Sequence, residues 1–214
     1  MKTLNYIILV LSIIFVLLFT SIEIVSVLKP LYEGQYKSNK VYDVAYVKDY
    51  PVAQVTDDII LYLADMIDDM NQRGFFKDRE HVHMIDVKFL FDLGKIVRLI
   101  NIIIIAYLIS RLSREEDFVK KYRINYIGAI GIIVVMATTI SKNFSVAFVK
   151  FHHIFFNNDY WILYPSESII INLMPERFFM SFTVYIGLIF SALSIIFYLV
   201  VSKLYWRSVD KRQF

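Results

Sequence analysis

The chain's four histidines occur in two pairs, and each pair lies beside a long apolar segment. One pair is His81 and His83, followed by Asp86, and the other is His152 and His153. An imidazole changes its charge near neutral pH, so two imidazoles at one place suit general acid–base catalysis. Histidine and aspartate also bind zinc, so a metal site is the alternative chemistry. Taken alone, either pair also fits interfacial histidines without a chemical role, and the interpretation as a site depends on both pairs together.

Composition and motifs exclude several other kinds of site. The chain has no cysteine, which excludes a thiol nucleophile, a disulfide framework and a cysteine-ligated metal. It contains no Gly-x-Ser-x-Gly elbow, no Walker loop and no His-Glu-x-x-His helix. The histidines lie at the ends of apolar segments, which disfavours a haem held within a bundle. The basic residues form no stripe with a known motif, so we expect no nucleic-acid partner.

Four apolar segments predict the elements that position the histidines. Apolar residues make up 57% of the chain, more than is usual for a soluble domain. About 20 residues of helix cross the hydrocarbon layer of a bilayer. The first segment is too long for a signal-peptide core and lacks an Ala-x-Ala-like site, so we interpret it as a membrane span. The predicted transmembrane helices are residues 1–28, 88–112, 124–140 and 178–202.

The fold class that follows is an α-helical integral membrane protein, with four transmembrane helices and a small mixed extracellular cap. The cap is residues 29–87, where Pro and Gly interrupt the periodicity and charged residues become common. Within it, the β-prone stretch 41–47 partly alternates, and apolar residues recur at helical spacing from Ile59 to Met70. A segment of this size is marginally stable alone, so we expect it to pack against the membrane helices.

The distribution of charge predicts which ends of the spans face the cytoplasm. Lys and Arg are concentrated in the loop 113–123 and in the tail 203–214, whereas acids outnumber bases in the cap. The positive-inside rule therefore puts that loop, the tail and the N-terminus in the cytoplasm. The cap and the loop 141–177 then lie outside, and both histidine pairs with them.

Two motifs resemble the signatures of a known family. The first is His83-Met84-x-Asp86-Val87-Lys88; the second is Phe151-His152-x-x-Phe155-Phe156, followed by Trp161, Leu163, Pro165 and later Pro175-Glu176-x-Phe178-Phe179. Together they resemble the bacterial lipoprotein intramolecular transacylases, and the resemblance extends over the whole chain.

The resemblance implies an acyltransferase of the bacterial cell membrane. Its substrate would be a diacylglyceryl lipoprotein, surrounded by membrane lipid, and the enzyme would act as a monomer without a cofactor. It would move the acyl chain from the sn-2 position of the S-diacylglyceryl group to the α-amine of the N-terminal cysteine. The product would be a lyso-form lipoprotein, made on the extracellular side.

The resemblance also implies the roles of individual residues. By motif, the catalytic histidines are His83 and His152, with no metal. Which of the two acts as the base and which as the acid or oxyanion donor stays open. The residues expected to support them or to orient the substrate are Asp86, Lys88, Asn143, Phe151, Phe155, Phe156, Tyr160 and Trp161. Among these, Lys88 and Asn143 are candidates for oxyanion stabilisation, and the aromatic residues would confine the substrate.

Two alternatives come from other function classes. One is a zinc hydrolase on the extracellular face, which would contain bound metal. The other is a membrane scaffold whose cap binds a partner protein, and whose function would survive substitution of the histidines.

Overall fold

The computed structural model describes residues 2–210, and the side chains of residues 3–203. The end of the predicted tail, residues 211–214, lies outside the described residues, as does Met1. Eight α-helices and two short 3-10 helices form the described part of the chain, which contains no strand. The α-helices are α1 (Lys2–Val27), α2 (Lys29–Ser38), α3 (Val52–Leu63), α4 (Asp78–Leu112), α5 (Phe118–Lys142), α6 (Phe144–Phe155), α7 (Ile169–Leu173) and α8 (Glu176–Asp210).

Four of these helices, α1, α4, α5 and α8, are long and apolar enough to cross a membrane. The fold class is therefore confirmed as helical with four candidate membrane-spanning helices. Helix α4 has 35 residues, so it is about 52 Å long at about 1.5 Å per residue. It contains the predicted span 88–112 and continues the same helix back through His81 and His83.

The β-prone stretch of the cap forms 3-10 helices, Val41–Asp43 and Ala45–Asp49, so the cap contains no strand among the described residues. Strand propensity reflects packing on a pleated surface and needs a partner strand, which this all-helical unit does not offer. The side chains of Val41 and Val47 are instead buried in a helical core.

The predicted helix around residues 59–70 begins earlier and ends earlier than its apolar spacing indicates. Helix α3 begins directly after Pro51 and ends at Leu63. Asp65 follows in the left-handed region at φ 59°, which Asp tolerates better than most residues and which ends the helix. Met70 is nevertheless fully buried, so its apolar character reflects the core of the cap and not a continued helix.

The chain divides into two compact units. Among the described residues, the first contains residues 2–21, Lys95–Ile140 and residues 186–210. Its core comes from one face of α1 and from residues of α4, α5 and α8: Tyr6, Leu9, Val10, Ile13, Ile14, Leu17, Leu108, Leu112, Phe118, Tyr122, Tyr126 and Phe190. The hydroxyl of Tyr6 donates to Glu115 Oε2 at 3.2 Å, and that of Tyr126 donates to the Ser194 carbonyl at 3.0 Å.

The second unit contains Ile22–Gly94 and Ser141–Tyr185, and all four histidines belong to it. Aromatic residues of α2 and α8 pack at its centre, where the Tyr32 ring lies 5.3 Å from Phe178 and 5.0 Å from Phe182 between ring centroids. The Tyr36 hydroxyl shares a buried hydrogen bond of 3.0 Å with Thr56 of α3. The predicted cap and the predicted loop 141–177 thus both contribute to one folded unit.

Candidate active site

His83 lies in the second turn of α4, whose start is fixed by a buried carboxylate. Glu80 Oε2 accepts a hydrogen bond from the backbone N–H of Lys77 at 2.9 Å, which is half of a capping box. Glu80 Oε1 accepts from Ser168 Oγ at 2.7 Å and from the backbone N–H of Ile170 at 2.8 Å. Because Ser168 is the N-cap of α7, one carboxylate joins the starts of two helices. Glu80 and His83 are three residues apart and share one buried face of α4.

His152 lies in the last turn of α6, and its ring is oriented by the backbone. Its Nδ1 is 2.7 Å from the carbonyl oxygen of Phe148. A carbonyl oxygen only accepts hydrogen bonds, so Nδ1 carries the proton. In the neutral ring, Nε2 then holds the lone pair and is the nitrogen that can take a proton.

The two histidines from these separate helices lie side by side. Their ring centroids are 6.0 Å apart and their planes differ by 35°. His83 is 8% exposed and His152 is 7% exposed. The Phe156 ring contacts both, at 5.3 Å from His83 and 5.6 Å from His152 between centroids. Nδ1 of His83 is buried, and within residues 3–203 no side chain or backbone group forms a hydrogen bond with it.

Aromatic rings form the walls around His152. Between centroids, the His152 ring lies 4.4 Å from Phe148, 4.7 Å from Trp161 and 5.5 Å from Phe151. Phe151 in turn packs on Phe155 at 4.7 Å, and both of these rings are about half exposed. His152 is therefore surrounded by aromatic rings, of which the outer two, Phe151 and Phe155, are exposed.

Burial lowers the pKa of His152, the hydrogen bond to the Phe148 carbonyl raises it, and the neighbouring His153 lowers it; the net direction is down. His152 is therefore neutral at pH 7. A neutral imidazole with a defined lone pair is the form that a general base requires.

Three of the predicted supporting residues, Asp86, Lys88 and Tyr160, face other partners, and a fourth, Asn143, is exposed. Asp86 Oδ2 accepts a hydrogen bond from Asn158 Nδ2 at 2.9 Å. The ammonium of Lys88 is paired with Asp65 and, at 2.7 Å, with Asp92, both through Oδ1. The exposed Asn143 is the N-cap residue of α6, and the ring of Tyr160 lies under the guanidinium of Arg79 at 5.8 Å.

The residues considered as zinc ligands do not converge. His81 Nε2 is 2.8 Å from Asp69 Oδ1, whereas His83 faces His152 and Asp86 faces Asn158. Across the described part of the chain, no group of three or more His, Asp or Glu side chains has the arrangement of a metal site.

The helical spacing of Phe148 and His152 predicts that they are neighbours, and the structure places them together. Three other residues, Arg79, Glu80 and Asn158, hold the start of α4 or the loop that follows His152, and the sequence analysis does not identify them. Glu80 has a recognisable signal, because an acid at the third position of a helix is typical of a capping box. Arg79 and Asn158 have none, because each acts on a segment more than 70 residues away: the contacts are 83 residues apart for Arg79 with Ile162 and 72 for Asn158 with Asp86.

Comparison with known proteins gives a consistent result. A family model described as lipoprotein intramolecular transacylase Lit matches residues 7–179. The solved structure of the membrane integral lipoprotein intramolecular transacylase Lit from Bacillus cereus is 27% identical, with a TM-score of 0.76 over 98% of this chain and 96% of that chain. A variant of the same protein, with a histidine replaced by alanine, is 27% identical with a TM-score of 0.73 over 98% and 94%. Comparison with curated protein sequences gives no match.

Proposed function

The chain belongs to the lipoprotein intramolecular transacylase family, and from this premise we propose that it moves an acyl chain from the sn-2 glyceryl oxygen to the α-amine of the N-terminal cysteine of the same lipoprotein. The chain is thus an acyltransferase that acts on lipoproteins in a membrane. The observation that carries the finer proposal is the buried pair of imidazoles, His83 and His152, brought together from two distant segments.

In the proposed reaction, His152 is the base. The neutral amine attacks the sn-2 ester carbonyl. The attacking nitrogen becomes acidic as it bonds to the carbonyl carbon, and Nε2 of His152 takes a proton from it. When the bond between the carbonyl carbon and the glyceryl oxygen breaks, His152 returns this proton to the departing oxygen. The products are an amide and a free 2-hydroxyl, so atoms and protons balance without a co-reactant.

His83 is the partner of this base in the proposal. Its buried Nδ1 makes no hydrogen bond within residues 3–203, so it remains for a polar group of the substrate. We assign His83 to the glyceryl oxygen, which gains negative charge as the ester bond breaks. Burial and the neighbouring His152 lower the pKa of His83 to about 4, so its imidazole is neutral at pH 7. With its proton on Nδ1, it can hold that oxygen by a hydrogen bond without placing a second positive charge beside His152.

Confinement supplies the remaining catalysis. Acyl donor and acceptor belong to one molecule, and holding them in a near-attack geometry can remove about 7–11 kcal/mol of the barrier in favourable intramolecular cases. Phe151, Phe155, Phe156 and Trp161 supply the aromatic surface for this. Oxyanion stabilisation by Lys88 and Asn143 stays a prediction. The ion pairs of Lys88 favour a role in holding the fold. The side chain of Asn143 is exposed and forms no N-cap hydrogen bond.

The experiment that tests the proposal uses the full chain in vesicles of unlabelled phospholipid. A synthetic diacylglyceryl lipopeptide carries a deuterated chain at sn-2 only, and mass spectrometry follows its amine. We expect deuterated N-acyl, lyso-form peptide. An unlabelled N-acyl group would mean that a phospholipid is the donor, and release of free deuterated fatty acid would indicate a hydrolase. Either result contradicts the proposal.

We also propose that the site faces the outside of the cell, in a monomer with both termini in the cytoplasm. The concentration of Lys and Arg in 113–123 and 203–214 supports this sidedness. Reporter fusions after Asp68 and Glu116 test the sidedness. We expect a periplasm-type reporter to be active at Asp68 and a cytoplasmic reporter to be active at Glu116. The reverse pattern would put both histidines on the cytoplasmic side and overturn this part of the proposal.

A further inference from the structure

Trp161 has a polar atom in the site that the scheme above does not use. Its ring is 4.7 Å from His152, tilted by 31°, and 5.1 Å from His153 between centroids. Nε1 of Trp161 is buried, and nothing in the described part of the chain accepts a hydrogen bond from it. The indole N–H is only a donor, and buried tryptophans usually find an acceptor for it. A donor buried without an acceptor costs free energy, so its presence beside the base is informative.

The loop that carries Trp161 is held to α4 on both sides of His83. Arg79 Nε donates to the Ile162 carbonyl at 2.9 Å, and the same guanidinium donates to the Asp159 carbonyl. Asp86 accepts from Asn158, whose own Oδ1 accepts from the backbone N–H of Tyr160 at 3.0 Å. The backbone is thus fixed immediately before and after Trp161.

The two α4 residues that hold this loop lie on the same helix face as His83. Arg79, His83 and Asp86 are four and three residues apart, which is the spacing of neighbours on one helix face. The first and last hold the Trp161 loop and the middle one is the candidate catalytic residue. The position of the indole relative to His83 is therefore determined by one rigid element, which is the preorganisation that a transition-state donor requires.

We propose that the Nε1–H of Trp161 donates a hydrogen bond to the carbonyl oxygen of the transferred acyl group, and that Arg79 positions it. The inference rests on the proposed function. When the amine nitrogen attacks the ester carbon, the carbonyl double bond opens and its electron pair moves to that oxygen. The oxygen becomes an oxyanion beside the indole N–H, and the carbonyl re-forms when the bond to the glyceryl oxygen breaks. Trp161 keeps its proton throughout.

The main test is Trp161→Phe in the full chain in vesicles, with the deuterated lipopeptide as substrate. Removing one donor to a developing oxyanion lowers turnover by about 10²-fold in well-studied cases. Since the bond strengthens only in the transition state, we expect kcat and kcat/KM to fall together. The matched control is Tyr164→Phe, an exposed ring of the same loop, which should keep its activity.

A second variant distinguishes the loss of the N–H donor from a change in the shape of the ring. Site-specific replacement of Trp161 by benzothienylalanine keeps the bicyclic shape and substitutes sulfur for the N–H. We expect this variant to unfold at the wild-type temperature and to be as slow as Trp161→Phe. A packing role for the ring predicts the opposite, with full activity in the isostere, and that result would refute the inference.

Arg79 has its own readout as a positioning residue. Arg79→Gln should lower turnover in the native chain, but should change it little when Trp161 is already replaced by Phe, because both changes disable the same donor. If the losses of turnover in the two single variants multiply in the double variant, Arg79 acts independently of Trp161. If the wild-type chain makes no N-acyl peptide, the proposed function itself is wrong. If the wild type is active and the isostere equally so, only the role of Trp161 is lost.

Discussion

His83→Ala and His152→Ala are each expected to reduce formation of the N-acyl, lyso-form peptide by about 10³-fold or more. General acid–base catalysis contributes about 10²–10⁴-fold, and here one imidazole would handle the proton twice. Because the two rings serve one transition state, the double variant should be scarcely slower than either single variant. The measurement is the rate of amine acylation of the deuterated lipopeptide by mass spectrometry.

The other two histidines are the matched controls for this prediction. The Nε2 atom of His81 contacts Asp69 Oδ1 at 2.8 Å, away from His152, and His153 is exposed, so their alanine variants should keep most of the wild-type rate. Each variant must first unfold at a temperature close to that of the wild type, because both His83 and His152 are buried. An active His152→Ala enzyme beside an inactive His153→Ala enzyme would show that the catalytic residue is His153 and not His152. Full activity in both His83→Ala and His152→Ala would show that neither histidine is catalytic.

Glu80→Ala is expected to produce the largest loss of stability. The carboxylate is 1% exposed and accepts three hydrogen bonds, from Lys77 N–H, Ser168 Oγ and Ile170 N–H. Hydrogen bonds to charged groups contribute about 1.5–3 kcal/mol each, and truncation would leave three donors without this acceptor. We expect the free energy of unfolding to fall by roughly 3 kcal/mol or more. Thermal unfolding in detergent gives the comparison.

Glu80→Gln and Glu167→Ala complete that experiment. The amide oxygen of Gln can still accept from Ser168 and Ile170, whereas its NH₂ group would meet the Lys77 N–H, so an intermediate loss is expected. Glu167 is an exposed carboxylate next to Ser168, and surface substitutions usually stay within about 0.5 kcal/mol. Equal unfolding temperatures for Glu80→Ala and Glu167→Ala would contradict the role of Glu80 as the joint between α4 and α7.

The four long helices could be predicted because hydropathy sums over many residues, and a few misjudged positions do not change the sum. The β-prone residues of the stretch 41–47 favour a strand, but a strand needs a partner strand and none exists in the described unit. The end of α3 depends on the backbone at Asp65, which composition does not encode.

In the candidate site, the sequence predicts residues that belong to local motifs but not contacts between distant segments. The motifs single out His83 and His152, and these are the two histidines that the fold buries together. The sequence does not indicate that Glu80 meets Ile170, which is 90 residues away, or that Arg79 meets Ile162, which is 83 residues away. Such contacts depend on how helices and loops pack, and one sequence gives no measure of that packing.

The carbonyl of Phe148 has a consequence for how mutations affect this chain. In the Ser-His-Asp triad, the group that orients the histidine is a side chain, so one substitution can delete it. Here the orienting atom is a backbone oxygen, which every residue type at position 148 would retain. A saturation scan would therefore find no side chain that sets the tautomer of His152 in the way that the Asp of the triad does, and single substitutions at position 148 would leave that tautomer unchanged. Only changes that unwind the last turn of α6, such as a proline in it, remove the constraint.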